Sequence, residues 1–360
     1  MSHAYRAVQW NKHKKVYDLL LAGGVGLYLV VFVVVSSLAL SGDNGITPMT
    51  LLIRAFGTAA IILLHLILCI GPLARLWPGV FAPLLYNRRH MGVTMFILAF
   101  LHAALATLWY HGFGVVNPIV SIFTSNGNYD QIAAFPFQPL GFIALLILFL
   151  MAATSHDFWL ANLGPRTWKT LHTLVYVAYA LLVMHVVLGA LQSNPSVLYI
   201  GLLVLGFVMI AGLHLITGWR EWRKDAAAPN TDDQEWIDVA DVNDIEDGYG
   251  KVVTLAGSER IAVLKYDGKV SAVSNVCAHQ HGPLGEGKVV DGCLTCPWHG
   301  YQYLPHNGQS PPPFTEKIPT YRVSVQGSRI LVNPEPLPPG TAVEPATIEA
   351  SPPPESNHEA

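Results

Sequence analysis

Six mostly apolar stretches, at 17–40, 51–71, 91–111, 138–155, 171–191 and 197–217, constrain this chain more than anything else in it. Each is close to the roughly 20 residues that an α-helix needs to cross ~30 Å of hydrocarbon. The first is longer than the apolar core of a secretory signal, which runs to about 15 residues, and reads as a retained helix. The longest connection, 112–137, carries Gly112, Pro118, Asn126, Gly127, Asn128 and Pro136 and reads as an ordinary loop. Charge divides the chain just after the sixth stretch. Residues 1–224 hold 13 Lys/Arg and 5 Asp/Glu, whereas residues 225–360 hold 8 and 19, a net of −11. A single soluble globule is excluded. Nucleic-acid binding is disfavoured, because the part outside the apolar region is acidic and repels phosphate. Four cysteines in 360 residues exclude a disulfide scaffold.

The connections alternate in basic content. One side carries Arg6, Lys12, Lys14, Lys15, Arg75, Arg88, Arg89, Arg166, Lys169, Arg220, Arg223 and Lys224; the other has only Arg54. Twelve against one places both termini, and everything after residue 224, in the cytoplasm of a multi-pass protein of the inner (plasma) membrane.

Ionisable residues inside a span usually mark a function. His102 lies 13 residues beyond Arg89 and His185 lies 16 beyond Lys169. Both therefore sit about 20–24 Å from the cytoplasmic face on outward-running helices. Equal depth suits two imidazoles gripping one haem. His172 is about 20 Å below His185 and about 140° around an ideal helix; an imidazole at that interface serves equally as a polar anchor. His65, His111, His156 and His214 match no motif and read as packing or interfacial residues.

The run Arg88-Arg89-His90-Met91-Gly92 leading to Leu101-His102 resembles the ferric-reductase-like transmembrane domain. So do Gly71-Pro72-Leu73-Ala74-Arg75 and Trp168-Lys169-Thr170-Leu171-His172 leading to His185. The likeness covers about 20–190 and is nearest to the haem-binding subunits of periplasmic methionine sulfoxide reductase. It implies haem b held by His102 and His185, with His172 as a further ligand position. Two-haem relatives place another histidine 14 residues before the third-span ligand; here that position is Arg88, and His90 is on another face. One haem is expected, with a second resting on His172.

The acidic part shows short alternating runs at 251–255, 261–266, 270–273, 321–325 and 330–332, with Asp267-Gly268 as a hairpin signal between two of them. An all-β module is expected. Inside it stand Cys277-Ala278-His279 and Cys296-Pro297-Trp298-His299. Two loops that each offer one thiolate and one imidazole suit a [2Fe–2S] centre of mixed ligation. They also suit tetrahedral zinc, and Cys293-Leu294-Thr295-Cys296 suits a redox pair. The wider run Cys277-Ala278-His279-Gln280-His281-Gly282-Pro283-Leu284, then Cys296-Pro297-Trp298-His299-Gly300 with Gly308 and Pro311-Pro312-Pro313 after it, resembles the Rieske ferredoxin family. That resemblance assigns Cys277 and Cys296 to the inner iron and His279 and His299 to the exposed iron, and leaves Cys293 a bystander. Trp298 stands where the respiratory branch has a disulfide cysteine, and Tyr301 where it has a serine. Fewer hydrogen bonds to sulfur imply a potential at the lower end of the Rieske range.

The expected architecture is therefore multi-domain: a six-helix all-α transmembrane bundle followed by an all-β Rieske domain. Residues 1–16 are a cytoplasmic N-terminus, 17–224 the haem-binding domain, 225–235 a linker, 236–333 the Rieske domain and 334–360 a disordered tail. The expected function is electron transfer between the cluster and haem b. It runs from a cytoplasmic reductase towards a quinone or other outer-side acceptor across the lipid bilayer. No GxGxxG follows a strand, so hydride must be handled by a separate partner. The competing readings are a quinol-fed Rieske donor to a cytoplasmic oxygenase and a redox sensor. An oxygenase itself is not expected, because a mononuclear-iron facial triad has no room in this chain.

Overall fold

A computed structural model describes residues 12–39, 46–77, 80–81, 84–85, 88–155, 159, 163, 165–192, 195–226, 235–255, 259–298 and 300–348. The chain forms two compact units, one within Trp10–Gly218 and one within Trp219–Ala360.

The first unit is helical: α1 (Lys12–Ala39), α2 (Pro48–Leu76), α3 (Arg88–His111), α4 (Pro118–Thr124), α5 (Phe137–Ala153), α6 (Pro165–Thr173), α7 (Val175–Val186) and α8 (Val197–Ala226), whose last turns belong to the second unit. Among the described residues, five helical stretches are long and apolar enough to cross a membrane: Lys15–Leu38, Pro48–Leu76, Arg88–His111, Thr167–Leu191 and Val197–Arg223. The remaining expected span is α5, whose 17 residues stand at the short end of the spanning range. The connection at 112–137 holds the short helix α4.

Helix α2 is the centre of this unit. Thr47 caps it, its side chain accepting the Thr50 N–H at 3.2 Å, and Pro48 occupies the first turn, where a missing N–H costs nothing. Buried residues run along α2 from Leu51 to Ala74, whereas α1 exposes Leu19, Leu20, Leu27 and Leu38. A helix apolar all round needs either protein or lipid around it; α2 has the first and α1 is suited to the second. Ala144, Ala178 and Ile210 bring α5, α7 and α8 into the core that surrounds Leu64. Beyond Val186, α7 widens into a π turn at Val187–Leu191, a departure that recurs at functional positions.

The second unit is all-β. Strands β1 (Ile237–Asp241), β10 (Arg329–Val332) and β9 (Val323–Gln326) form one antiparallel sheet. The other runs β11 (Ala346–Thr347), β4 (Lys269–Ser274), β3 (Arg260–Tyr266), β2 (Tyr249–Thr254), β5 (Lys288–Val290), β6 (Cys293–Thr295) and β7 (Gln302–Tyr303), with β8 (Thr320–Tyr321) also on β4. Asp267 and Gly268 both take left-handed φ, 48° and 69°, as the two-residue hairpin between β3 and β4 requires. Asp291 and Gly292 repeat the device between β5 and β6, at 51° and 73°. This second hairpin, absent from the sequence reading, presents the loop that follows Thr295.

Two boundaries differ from expectation. Helix α8 continues through Asp225 and Ala226, and Arg260 pairs with both Glu221 and Asp225, the latter at 2.8 Å. The rest of the expected linker, 227–234, and residues 1–11 lie outside the described residues. Residues 334–348 are ordered rather than a tail. Ala346 and Thr347 pair with Val270 and Lys269, Val343 donates to the His306 carbonyl at 2.7 Å, and Ile348 packs on the core. Backbone hydrogen bonding to an open sheet edge requires little apolar content, and composition registers only the latter. Residues 349–360 lie outside the described residues.

Candidate metal centres

In the helical unit, His102 of α3 and His185 of α7 meet across a cavity of about 750 Å³, their ring centroids 6.2 Å apart and their planes at 89°. Each ring is held the same way. His102 donates its Nδ1–H to the Ile53 carbonyl at 2.8 Å, and His185 donates to the Phe137 carbonyl at 2.8 Å. Four residues beyond each carbonyl stands a glycine. A Cβ on Gly57 would lie 2.8 Å from His102 Nδ1, and one on Gly141 would lie 2.7 Å from His185 Nδ1. A backbone carbonyl can only accept, so Nδ1 carries the proton and Nε2 keeps its lone pair. Two metal–imidazole bonds of about 2 Å, as for zinc, plus a ring radius at each end span roughly 6 Å. Ring spacing, tautomer and the apolar lining of the cavity all fit a bis-imidazole haem. Ile53, Gly57, Phe137 and Gly141 escaped the sequence reading, because one backbone carbonyl or one glycine in an apolar run carries no signal.

The structure does not bring His172 to this cavity. Its ring stacks on Trp168 at 3.8 Å, its Nδ1–H goes to the Trp168 carbonyl at 3.0 Å, and its buried Nε2 has no hydrogen-bond partner. Arg88 and Arg89 are near enough to act on it electrostatically. His90 pairs with Asp18 at 2.6 Å, tying α3 to α1. Among the other histidines, His65 bonds Tyr179 (3.1 Å), His111 bonds Ser121 (2.8 Å), and His214 bonds Tyr176 (3.1 Å) and the Ile210 carbonyl (2.8 Å). His156 lies outside the described residues.

In the β unit two loops converge. The first follows β4 and is closed on itself: Cys277 N–H donates to the Gly282 carbonyl at 3.0 Å, and His281 N–H to the Cys277 carbonyl at 2.7 Å. The second is the 296–301 turn, in which Gly300 N–H reaches the Cys296 carbonyl at 2.9 Å and Cys296 N–H the Tyr301 carbonyl at 2.8 Å. They touch at Gly282, where a Cβ would stand 2.7 Å from Cys296 Sγ. Cys277 and Cys296 are buried in one cluster, while His279 is half-buried and stacks on Tyr301 at 4.7 Å and 10°. His299 lies outside the described residues. The Cys296 thiol, and after it the Tyr303 hydroxyl, hydrogen-bond the Cys277 sulfur and hold its thiol below the ordinary cysteine range.

Tyr303 was missed from sequence, where one tyrosine beyond the second loop carries no signal of a contact with Cys277. Its hydroxyl accepts the Ala278 N–H at 3.0 Å, which leaves its own proton for Cys277 Sγ at 3.3 Å. Burial pushes the hydroxyl's pKa far up, so it remains a donor. The expectation of a low potential counted the residue after Gly300 and not this bond. Cys293 is buried outside the cluster that holds Cys277 and Cys296, and burial pushes its thiol up, as suits an inert side chain. Paired sulfurs inside, an imidazole nearer the surface and glycine where the loops touch fit a two-iron cluster of mixed ligation.

Comparisons with known proteins match both units. The ferric reductase like transmembrane component matches residues 56–183, and the Rieske [2Fe-2S] domain matches residues 235–322. The haem-binding subunit MsrQ of protein-methionine-sulfoxide reductase from Caulobacter vibrioides is 31% identical over 216 residues, covering 59% of this chain and 91% of that protein. Its counterpart from Xanthomonas euvesicatoria is 31% identical over 189 residues, 52% of this chain and 76% of the relative. The ferredoxin component of the alkene monooxygenase system of Xanthobacter autotrophicus is 35% identical over 114 residues, 31% of this chain and 93% of that protein.

Proposed function

This chain belongs to the ferric reductase-like transmembrane family, in its MsrQ-like branch, with a Rieske [2Fe-2S] domain joined behind it, and from that membership we propose that it carries electrons from a cytoplasmic reductase to an acceptor on the outer side of the membrane. Electron transfer by a membrane protein is what the two domains imply; its direction, its ligands and its partners are our reading. The observation that carries it is the facing pair His102 and His185, in the same chain as the paired loops of Cys277 and Cys296.

When bound, the cluster and the haem each take up and release one electron; the chain does everything else. Cys277 and Cys296, buried in the module, would hold one iron, and half-buried His279 together with His299 would hold the other. Tyr303 steadies negative charge at Cys277. The Ile53 and Phe137 carbonyls orient the rings of His102 and His185, within a lining that is mostly apolar. With Arg88 where a second pair would need histidine, one haem b is the reading, and His172 is the position at which another would attach. The twelve-to-one distribution of basic residues supports a cytoplasmic Rieske domain.

A second reading has one observation in its favour. The β unit is similar over 93% of a monooxygenase-system ferredoxin, so the cluster could instead feed a cytoplasmic oxygenase with electrons from membrane quinol. Inverted vesicles separate the two. Adding NADH and a reductase should reduce the haem in a manner dependent on Cys277 and His299. Reduction by quinol, with the cluster following and none from the reductase side, overturns the outward path in favour of the second reading.

A further inference from the structure

A buried pair of ionisable side chains, one of them in the cavity wall, plays no part in this scheme. His65 of α2 and Tyr179 of α7 are 7% and 6% exposed and share a hydrogen bond of 3.1 Å between Nε2 and the hydroxyl. His65 lines the same cavity as His102 and His185. It follows Gly57, which abuts His102, by eight residues, or about 12 Å along α2. Tyr179 precedes His185 by six, about 9 Å along α7. Helix α8 makes room for the imidazole with Gly206, where a Cβ would overlap the ring at 2.2 Å from Cε1. Burying an imidazole against an apolar core is costly and, in a membrane span, marks a function.

The hydrogen bond differs in kind from those of the facing histidines. His102 and His185 are held by carbonyls, which only accept and so fix one tautomer. His65 is held by a hydroxyl, which donates to a bare Nε2 and accepts from a protonated one without moving either heavy atom. The pair can therefore house the ring with or without an added proton.

We propose that His65 takes up a proton when the haem site takes up an electron. This rests on the reading of the cavity as a haem site. The electron comes from the reductant, the proton comes from water, and the products are a reduced centre and an imidazolium whose Nε2–H is received by Tyr179. An electron placed in a low-dielectric cavity strengthens the hold on a proton of a base roughly 12 Å away, since the interaction falls only as the inverse of distance. Other titratable groups face the same space. On α2 this is Arg54; on α3, His102, Tyr110 and His111; Cys69, one turn beyond His65, is buried on α2 outside the lining. On α7 and α8 they are His185 and Tyr199. Among the described residues no carboxylate lines the cavity; a bound haem would bring its own two propionates, which His65→Gln leaves in place and so separates from His65. Of the bases, His102 and His185 are committed to the metal. His111, bonded to Ser121, lies nine residues beyond His102, at the far end of α3.

Redox titration of the haem band in the purified full-length protein between pH 5.5 and 8.5 tests this. The wild-type equilibrium should shift close to tenfold per pH unit through part of that range, ~59 mV for one electron. His65→Gln, which keeps a hydrogen-bonding partner for Tyr179 but takes no proton, should reduce the shift to less than threefold per unit. Tyr179→Phe should keep the slope but move the pH at which it begins, and His111→Gln should leave both unchanged. A flat wild-type profile overturns the proposal without recourse to any variant. An undiminished slope in haem-loaded His65→Gln, or a slope abolished by His111→Gln, overturns it equally. Wild-type protein that binds no haem would instead remove the haem reading on which the proposal stands.

Discussion

Replacing Gly141 by alanine asks how closely the fold must hold His185. The new Cβ would stand 2.7 Å from Nδ1 and 2.8 Å from Cε1, whereas ordinary contact begins at 3.4 Å, so the ring must retreat by about 0.7 Å. The Nδ1–Phe137 bond, now 2.8 Å, would open to about 3.5 Å, beyond a useful hydrogen bond. Phe137 cannot follow, because its own ring lies against Gly189 of the π turn, where a Cβ would meet it at 2.7 Å. A displacement above the roughly 0.5 Å that a ligand set tolerates, with loss of the bond that orients the imidazole, should cost 10- to 100-fold in haem affinity, about 1.4–2.8 kcal/mol. Gly57→Ala should act alike on His102. Gly212→Ala, with nothing within 4 Å of the added atom, is the control. The assay is haem per protein by pyridine haemochrome, together with the low-spin Soret band and the rate of haem loss to apomyoglobin. A Gly141→Ala protein that retains haem as well as the control, with the same spectrum, refutes the reasoning.

Three further outcomes are expected. Tyr303→Phe removes the donor to Cys277; if the bond strengthens by about 1 kcal/mol on reduction, the cluster potential should fall by about 40 mV in an EPR-monitored titration, and an unchanged potential would show that the hydroxyl does not act on the sulfur. Cys296→Ser should abolish the Rieske EPR signal and its acid-labile sulfide while Cys293→Ser keeps both; one zinc per chain without sulfide in the parent protein would contradict the cluster. His102→Ala and His185→Ala should each remove the low-spin haem spectrum, and His172→Ala should leave haem content intact, whereas loss of about half would establish a second haem.

By itself, the sequence determined the apolar spans, the all-β character of the acidic part and the two Cys/His loops. These were legible because each is local. Hydropathy summed over about 20 residues decides whether a helix can lie in hydrocarbon. A two-residue Asp267-Gly268 turn sets its own hairpin, and ligand spacing within one loop survives without knowledge of the rest of the chain. Even the meeting of His102 and His185 could be anticipated, since depth along a helix follows from residue count. What only the tertiary structure decided is which faces of those helices and strands meet. The carbonyls of Ile53 and Phe137, the gaps at Gly57, Gly141 and Gly206, the hydroxyl of Tyr303 and the pairing of His65 with Tyr179, 114 residues away, all depend on that choice. So does the edge pairing that orders residues 334–348. A helix apolar on every side has no preferred face that its own periodicity can announce, so rotation about its axis is settled only by the side chains of its neighbours.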